Sequence, residues 1–234
     1  MIHFEKVQKE YKVGQETIRA LGPVNITIKT SEKVAVVGPS GAGKSTLLNI
    51  LGLLEPPTSG TYYLDDTDTA VHSENDMARI RRDKIGFIFQ RYNLMEELDI
   101  QHNIALPLVY RGWPAKQRRT AVKEALTAVG LSIGKSQLKP AHLSGGEQQR
   151  VAIARAIVGN PRILLADEPT GNLDSITGRH IVDLLIQLHR AGQQGVLVIV
   201  THNMEVARQM DRMVTLHDGR IEESSAELAT CGGS

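Results

Sequence analysis

The chain has 234 residues, of which 41% are hydrophobic and 23% are charged, a composition typical of a globular protein. Its 27 basic and 26 acidic residues leave a net charge of +1, so no overall positive field favours binding to nucleic acid or to an anionic membrane. The length fits one large domain, or a core with a smaller inserted subdomain, and excludes several independent modules.

The cysteine content and the hydropathy pattern indicate in which cellular compartment the protein lies. Cys231 is the one cysteine, so neither an intrachain disulfide nor a cysteine-based metal site can form. The N-terminal segment lacks the apolar run of a secretory signal, and no stretch approaches the ~20 apolar residues that span a membrane. We therefore expect a cytoplasmic protein that reaches a membrane only through a partner, with a polar C-terminal tail that frays.

The first part of the chain contains a strand, a glycine-rich loop and a helix in that order. Residues 1–30 alternate weakly between apolar and polar and predict exposed antiparallel strands. An apolar, β-branched run at 34–37 predicts a buried strand. Residues 38–46 are rich in glycine and predict a loop. The following stretch, 47–54, is apolar on nearly every face and predicts a buried helix.

Three further apolar runs, at 85–89, 163–166 and 196–200, predict strands of a parallel sheet that is covered on both faces. Between the last two runs, apolar residues recur at the spacing of an amphipathic helix. The sequence also predicts a helix with an apolar stripe at 121–129 that ends at Gly130.

This order of elements predicts an α/β fold with a parallel-sheet core and an N-terminal antiparallel β subdomain. No run between residues 91 and 160 predicts a strand, so we interpret that stretch as an inserted helical subdomain. The predicted α/β core then comprises residues 1–90 and 161–234 of a single domain.

The glycine-rich loop has the pattern G-x-x-x-x-G-K-S of a phosphate-binding loop. Its glycines let backbone N–H groups curl around a polyphosphate, its lysine reaches the outer phosphates, and its serine hydroxyl ligates Mg²⁺. The strand before the loop and the helix after it are the context that this motif requires. The residues predicted to bind nucleotide here are Gly38, Pro39, Ser40, Gly41, Ala42, Gly43, Lys44, Ser45 and Thr46.

Two carboxylates end the strand predicted at 163–166. In phosphoryl transfer an acidic residue at a strand end holds Mg²⁺, and a second group near the γ-phosphate polarises the attacking water. We predict the first role for Asp167 and the second, that of general base, for Glu168. Alone, such a pair is more often a solvated strand end, and the loop at 38–46 is what favours catalysis.

The sequence LSGGEQQR at 143–150 precedes another apolar helical stretch. Ser144 and Glu147 have the spacing of a capping box, which is a purely structural explanation. The two glycines between them also let another surface approach the helix N-terminus, where free N–H groups suit an anion. Both explanations are compatible.

Taken together, these motifs resemble the nucleotide-binding subunit of an ATP-binding-cassette (ABC) transporter over essentially the whole chain. LSGGEQQR matches the family signature and lies between the phosphate loop and ILLADEP (163–169), as in the family. The resemblance implies the P-loop NTPase fold, ATP and Mg²⁺ as cofactors, and ATPase activity coupled to transport. It also implies that each ATP is held between the phosphate loop of one copy and Ser144, Gly145, Gly146 and Glu147 of a second copy.

The resemblance implies roles for further residues. Gln90 matches the glutamine that touches Mg²⁺ and faces the membrane subunit, and Asp174 lies in the loop that crosses to the other copy. His202 matches the switch histidine that contacts the γ-phosphate, while Tyr11 lies where the family places an aromatic that stacks on adenine. Asn203 follows the histidine where the family more often has aspartate.

Three motifs resemble those of the group that contains lipoprotein-release, macrolide-export and cell-division ATPases: FIFQ at 87–90, NIALPL at 103–108 and PTGNLD at 169–174. That resemblance implies a homodimer formed on ATP binding, an integral-membrane permease partner that bends or squeezes, and periplasmic or outer-membrane components. It implies a peripheral location on the inner face of the cell membrane and no nucleic-acid partner.

Three functions stay open at this point. The first is a transport ATPase for export or lipoprotein release. The second is a regulatory ATPase of the cell-division type, which drives a membrane partner without transport. The third, a DNA-repair or translation ATPase of the same superfamily, is disfavoured because the chain has no long coiled coil and only one cassette.

Overall fold

The computed structural model describes residues 1–191 and 195–226, so the predicted fraying of the tail around Cys231 lies outside the described residues. The strands in these ranges are β1 (Ile2–Val13), β2 (Glu16–Ile28), β3 (Lys33–Val37), β4 (Ser59–Leu64), β5 (Thr67–Asp68), β6 (Ile85–Ile88), β7 (Ile163–Asp167), β8 (Val196–Val200), β9 (Arg212–His217) and β10 (Arg220–Ala226). The α-helices are α1 (Lys44–Leu51), α2 (Glu74–Lys84), α3 (Ile100–Tyr110), α4 (Ala115–Ala128), α5 (Gly145–Ile157), α6 (Ser175–Ala191) and α7 (Met204–Ala207). Single 3₁₀ turns lie at Thr69–Val71, Ile133–Lys135 and Pro140–His142.

The chain divides into two compact units, and the first comprises Met1–Arg81 and the described residues from Val196 onward. It contains an antiparallel sheet with the strand order β2-β1-β4-β5. It also contains β3, which pairs in parallel with β8 and β9, while β10 pairs antiparallel with β9. Strand β3 ends where the loop at 38–46 begins, and strand β8 ends two residues before His202.

The strands at the N-terminus are antiparallel as predicted, and residues 11–19 are exposed as predicted. The prediction of exposure was wrong for the apolar residues nearer the end of β2. Val24, Ile26 and Ile28 are buried, because this face of the sheet packs on the core. The ring of Phe4 meets that of Tyr62 edge-on at 4.7 Å, and the Tyr62 hydroxyl donates a hydrogen bond of 3.0 Å to the Leu51 carbonyl. The sheet is therefore fastened to the end of α1.

Strand β3 and helix α1 have the predicted order and are buried, but α1 ends at Leu51, and Leu54 in the predicted stretch 47–54 is 45% exposed. The side chains at 34–37 are at most 5% exposed, as are those of the four apolar residues at 47, 48, 50 and 51. A strand buried on both faces fits continuous β-branched sequence. The loop at 38–46 is thus bounded by two rigid, buried elements.

The second unit comprises residues 82–195. Within it β6 pairs in parallel with β7, and α5 packs against β6, α3 and α4. Helix α4 ends as predicted, because Gly130 adopts the left-handed φ of 69° and its N–H donates to the Thr127 carbonyl. The strands predicted at 85–89 and 163–166 run to Ile88 and Asp167.

Residues 91–160 form α3, α4, α5 and short 3₁₀ turns, and contain no strand. The chain therefore has the α/β class predicted for it, with parallel strands, an antiparallel N-terminal sheet and a helical stretch. The division into a core at 1–90 and 161–234 and a subdomain at 91–160 stays a prediction, since compact units are defined by packing and not by role. None of the described helices is long and apolar enough to cross a membrane.

Candidate nucleotide site

The phosphate loop is shaped by two glycines that touch the backbone of other strands. Gly38 has φ 152°, and a Cβ there would lie 2.0 Å from the Leu216 carbonyl oxygen. Gly43 has φ 95°, and a Cβ there would lie 2.3 Å from the Ala20 carbonyl oxygen. No other residue type fits at these positions without moving backbone, so the glycine spacing of the motif has a direct steric cause.

The loop delivers a lysine and a helix N-terminus to one place. Gly43 is the N-cap of α1 and offers no side-chain acceptor to the first-turn N–H groups, which leaves them for an anion. The Lys44 ammonium donates to the carbonyls of Gly38 at 2.8 Å and Pro39 at 2.7 Å, and so lies over the loop. The side chain of Ser45 is exposed beside it. This arrangement suits a polyphosphate.

Tyr11 lies in the same unit and is held by a small polar cluster. Its hydroxyl donates to both carboxylate oxygens of Glu55 at 2.8 Å, Asn49 donates to Glu55 at 3.0 Å, and the Lys9 ammonium lies 5.4 Å from the Tyr11 ring centroid. Partial burial and the Glu55 carboxylate raise the pKa of the Tyr11 phenol. Burial opposes the charge of Glu55, but hydrogen bonds from Asn49, Tyr11 and Lys9 outweigh it and lower the pKa of that carboxyl.

His202 follows β8 at the edge where β3 enters the phosphate loop. The N–H of Thr201 donates to the Val36 carbonyl at 3.0 Å, which fixes this register. The side chain of Asn203 accepts from the Glu205 N–H at 2.8 Å and caps α7. Asparagine and aspartate are about equally good N-caps, so the departure noted in the sequence keeps its structural task.

In the second unit the two predicted carboxylates end β7. Asp167 is the last strand residue, and Glu168 follows with a left-handed φ of 44°, a conformation that is uncommon for residues other than glycine. The Gly171 N–H donates to the Glu168 carbonyl at 3.0 Å and closes a turn. The backbone therefore changes direction at the residue for which general-base chemistry is predicted.

Gln90 lies two residues beyond the end of β6 and contacts the loop at 171–174. Its carbonyl accepts a hydrogen bond of 2.8 Å from the Asn172 side chain. A Cβ on Gly171 would lie 3.0 Å from the Gln90 amide nitrogen, so the two residues are neighbours. The structure thus brings the predicted glutamine to the turn that follows Glu168.

The signature residues form the capping box predicted at 144–147. The Ser144 hydroxyl accepts from the Glu147 N–H, and the Glu147 carboxylate accepts from the Ser144 N–H at 3.1 Å. Ser144 and Gly145 are exposed. A Cβ on Gly146 would lie 2.6 Å from the Thr177 methyl group, so this end of α5 lies against the start of α6.

Asp174 caps the start of α6. One carboxylate oxygen accepts from the N–H groups of Ile176 at 3.1 Å and Thr177 at 2.9 Å. The hydrogen bonds from Thr177 lower the pKa of Asp174. Its side chain is exposed, and its local task is to begin a helix.

Glu147 also pairs with Lys135. The hydrogen bond from the Lys135 ammonium, followed by that from the Ser144 backbone, lowers the pKa of Glu147. A carboxyl whose pKa is lowered by folding stabilises the fold above its unfolded pKa of about 4.3, and this stabilisation is lost as the pH falls through the folded value.

We therefore expect Glu147→Gln to lower the melting temperature at pH 7 by about 2 °C, because the pair is partly exposed. The difference from the unaltered chain should shrink as the pH falls below the unfolded pKa of about 4.3, because protonation of Glu147 removes the charge that pairs with Lys135. Melting curves across this pH range check the prediction, with Glu124→Gln on the exposed face of α4 as control. A difference that grows on acidification would contradict it.

Three polar residues near these motifs were not singled out in the sequence. Gln149 is fully buried and donates at 2.8 Å to the Pro169 carbonyl, next to Glu168. Arg155 donates to two carbonyls that follow Gln90. Arg155 interrupts the apolar part of α5, and that was the available signal, whereas Gln149 lies among polar residues and gave no signal. Glu55 gave none, because its tie to Tyr11 is 44 residues distant.

The predicted site residues thus form two sets, one in each unit. The loop at 38–46, Tyr11 and His202 belong to the first unit, and Gln90, Asp167, Glu168, Asp174 and residues 144–147 belong to the second.

Comparisons with known proteins identify the family. The family model described as ABC transporter matches residues 21–171, more than half of the chain. The ABC transporter ATP-binding protein MJ0796 of Methanocaldococcus jannaschii is 48% identical over 225 residues, which cover 95% of each chain. The macrolide export ATP-binding/permease protein MacB 2 of Aeromonas hydrophila is 43% identical over 96% of this chain, which spans only 34% of that relative.

Two solved structures share the fold. The dimeric structure of the MJ0796 cassette has a TM-score of 0.89 at 45% identity and covers 97% of this chain and 98% of its own. A dimeric post-hydrolysis state of MJ0796 bound to ADP and Pi has the same TM-score and coverage at 44% identity. The predictions of the family, the P-loop NTPase fold and ATPase activity are confirmed. The chain belongs to the ABC transporter family and is an ATP-binding cassette that hydrolyses ATP.

Proposed function

We propose that this cassette works as a homodimer that binds ATP with Mg²⁺ and drives a separate membrane permease of the lipoprotein-release and macrolide-export type. The observation that carries the proposal is the phosphate loop, in which two sterically required glycines place Lys44 beside an uncapped helix N-terminus.

The donor chemistry of three residues fits Mg²⁺. Ser45 offers a hydroxyl oxygen, Gln90 an amide oxygen and Asp167 a carboxylate, and Mg²⁺ prefers oxygen ligands and binds through one or two carboxylates plus substrate phosphates. When bound, the ion neutralises charge on the phosphates. We assign these three residues as its protein ligands.

Hydrolysis requires a group that orients and deprotonates the attacking water. Glu168 suits this role, because it directly follows Asp167 and its left-handed φ turns the chain out of the strand at this residue. We assign Lys44 and the loop N–H groups to the phosphates and His202 to the γ-phosphate. These roles are the ones that the family resemblance implies.

The dimer explains why part of the signature is exposed. Ser144 and Gly145 are open to solvent at the N-terminus of α5, where N–H groups and the helix dipole favour an anion. MJ0796, with a TM-score of 0.89, is described as dimeric. We propose that residues 144–147 of one copy complete the ATP site of the other, and that Asp174 lies at this contact.

A permease partner is supported by a relative that carries both functions. MacB 2 is described as an ATP-binding/permease protein, and the region similar to this chain makes up 34% of its length. We propose a cytoplasmic, peripheral location on the inner face of the membrane, with periplasmic or outer-membrane components beyond the permease. Affinity purification from membranes tests this: recovery of a permease supports it, and a chain that stays soluble with its operon neighbours co-expressed contradicts it.

Tyr11 provides a test of the adenine site. Stacking of a base on an aromatic ring contributes about 1 to 3 kcal/mol, so Tyr11→Leu should weaken ATP binding about 5- to 150-fold. Tyr11→Phe keeps the ring but loses the bond to Glu55, and it should weaken binding less than Tyr11→Leu. Calorimetric titration with ATP measures both. Equal losses in the two variants would assign the effect to the hydroxyl and not to stacking.

A further inference from the structure

The segment of residues 90–93 follows β6 and has an unusual backbone. Tyr92 and Asn93 are both left-handed, with φ values of 58° and 49°, and neither is glycine. L side chains adopt this conformation rarely, and it persists where surrounding contacts determine it. Two consecutive residues in it therefore require contacts that hold the segment.

Arg155 on α5 supplies contacts at one end of the segment. One terminal nitrogen of its guanidinium donates to the Tyr92 carbonyl and the other to the Asn93 carbonyl, both at 2.6 Å. Burial lowers the pKa of Arg155, and within the described part of the chain these carbonyls are its partners, with no carboxylate among them. A planar fork matches two adjacent acceptors as a lysine ammonium does not.

Two further contacts fix the segment. At its other end, the Asn172 side chain donates to the Gln90 carbonyl at 2.8 Å. In its middle, the Tyr92 hydroxyl would be 3.1 Å from a Cβ on Gly145, so the tyrosine packs against the signature. Burial in this place raises the pKa of the Tyr92 phenol. Residues 90–93 are thus held between the loop at 171–174 and helix α5.

We propose that Arg155 and Asn172 are positioning residues for Gln90. Asn172 sets the position of the Gln90 backbone. Arg155 keeps Tyr92 and Asn93 in the left-handed turn that follows Gln90. Neither residue acts on nucleotide itself. The inference rests on the proposed function in one respect, which is the assignment of the Gln90 side chain to Mg²⁺.

The first test uses the nucleotide-free chain and needs no activity. Hydrogen–deuterium exchange of the peptide that contains residues 90–93 should be about tenfold faster in Arg155→Lys and in Asn172→Ala, because each variant loses a restraint on this backbone. Exchange equal to that of the unaltered chain in both variants would overturn the proposal. Asn172 is exposed, so Asn172→Ala decides the matter alone if Arg155→Lys does not fold.

The second test separates positioning from general destabilisation. Both variants should raise the Mg²⁺ concentration for half-maximal ATP hydrolysis by about tenfold, as loss of groups that orient a metal ligand does. Affinity for ATP without Mg²⁺ should change less than about twofold, since the phosphate loop is intact. In a Gln90→Ala background neither substitution should raise the Mg²⁺ requirement further, and fully additive effects would overturn the proposal.

Arg111→Lys is the matched control. Arg111 also donates to backbone carbonyls, those of Arg82 and Gly159 among them, but it does so at the opposite end of β6. This variant should lower the melting temperature and leave both the exchange of residues 90–93 and the Mg²⁺ requirement unchanged. If hydrolysis by the unaltered chain does not depend on Mg²⁺, the proposed function fails, while the exchange experiment still decides the roles of Arg155 and Asn172.

Discussion

Replacing Glu168 by glutamine should abolish most ATP hydrolysis while ATP binding persists. An amide keeps the size of the side chain but cannot accept a proton, and loss of a general base lowers rates by about 10²- to 10⁴-fold. Because cleavage of ATP is then blocked, the variant should accumulate as an ATP-bound dimer. Phosphate release and size-exclusion chromatography with MgATP measure the two effects.

Because Glu168 has a left-handed φ of 44°, its substitution must not disturb the backbone if a loss of hydrolysis is to be assigned to the carboxylate. Glutamine has nearly the size and helix propensity of glutamate, so the substitution should leave the left-handed backbone at this position in place. Glu205→Gln, in the short helix α7, controls for loss of charge elsewhere and should hydrolyse ATP at the normal rate. A Glu168→Gln chain that elutes only as monomer with MgATP would contradict the dimeric mechanism, and normal hydrolysis would contradict the role of Glu168.

Replacing Lys44 by alanine should instead act on binding. A hydrogen bond to a charged group contributes about 1.5 to 3 kcal/mol, so affinity for ATP should fall about 10- to 150-fold. The Lys44 ammonium already lies over the loop carbonyls at 2.7 and 2.8 Å, so its contribution does not depend on a large rearrangement. Calorimetry with ATP measures the loss.

Lys33→Ala is a suitable control for Lys44→Ala. Lys33 begins the strand that leads to the loop and pairs with Asp211, and so it contributes charge and stability outside the loop. It should lower the melting temperature without changing ATP affinity. Unchanged affinity in Lys44→Ala would refute the role of the loop lysine in binding phosphate.

The sequence predicted the parts of the site that local rules govern. The glycine spacing at 38–43 follows from close backbone contacts, and the Ser144 and Glu147 capping box follows from helix geometry, so both can be read from neighbouring residues. The strands at 85–88 and 196–200 were predictable from continuous apolar runs. Each of these features depends on residues within one turn or one strand.

The features that sequence did not predict depend on distant partners. The burial of Val24 and Ile28 depends on which face of the N-terminal sheet packs inward, and weak alternation alone does not determine it. Arg155 lies 62 residues from Asn93 and Asn172 lies 82 residues from Gln90, and their roles become visible only when β6, α5 and the loop at 171–174 are brought together. Both side chains donate to backbone carbonyls, which every residue has. The residue type of the partner therefore gives no sign of the contact in the sequence.

The contacts that shape the phosphate loop have a consequence for how its sequence can vary. Gly38 and Gly43 meet Leu216 and Ala20 through backbone carbonyl oxygens, which every amino acid possesses. The steric restriction therefore falls entirely on the two glycines, and the side chains at positions 20 and 216 can change without altering the shape of the loop. Since strands β2 and β9 supply these carbonyls, the loop is held in shape before any ligand arrives, and little ordering entropy opposes binding.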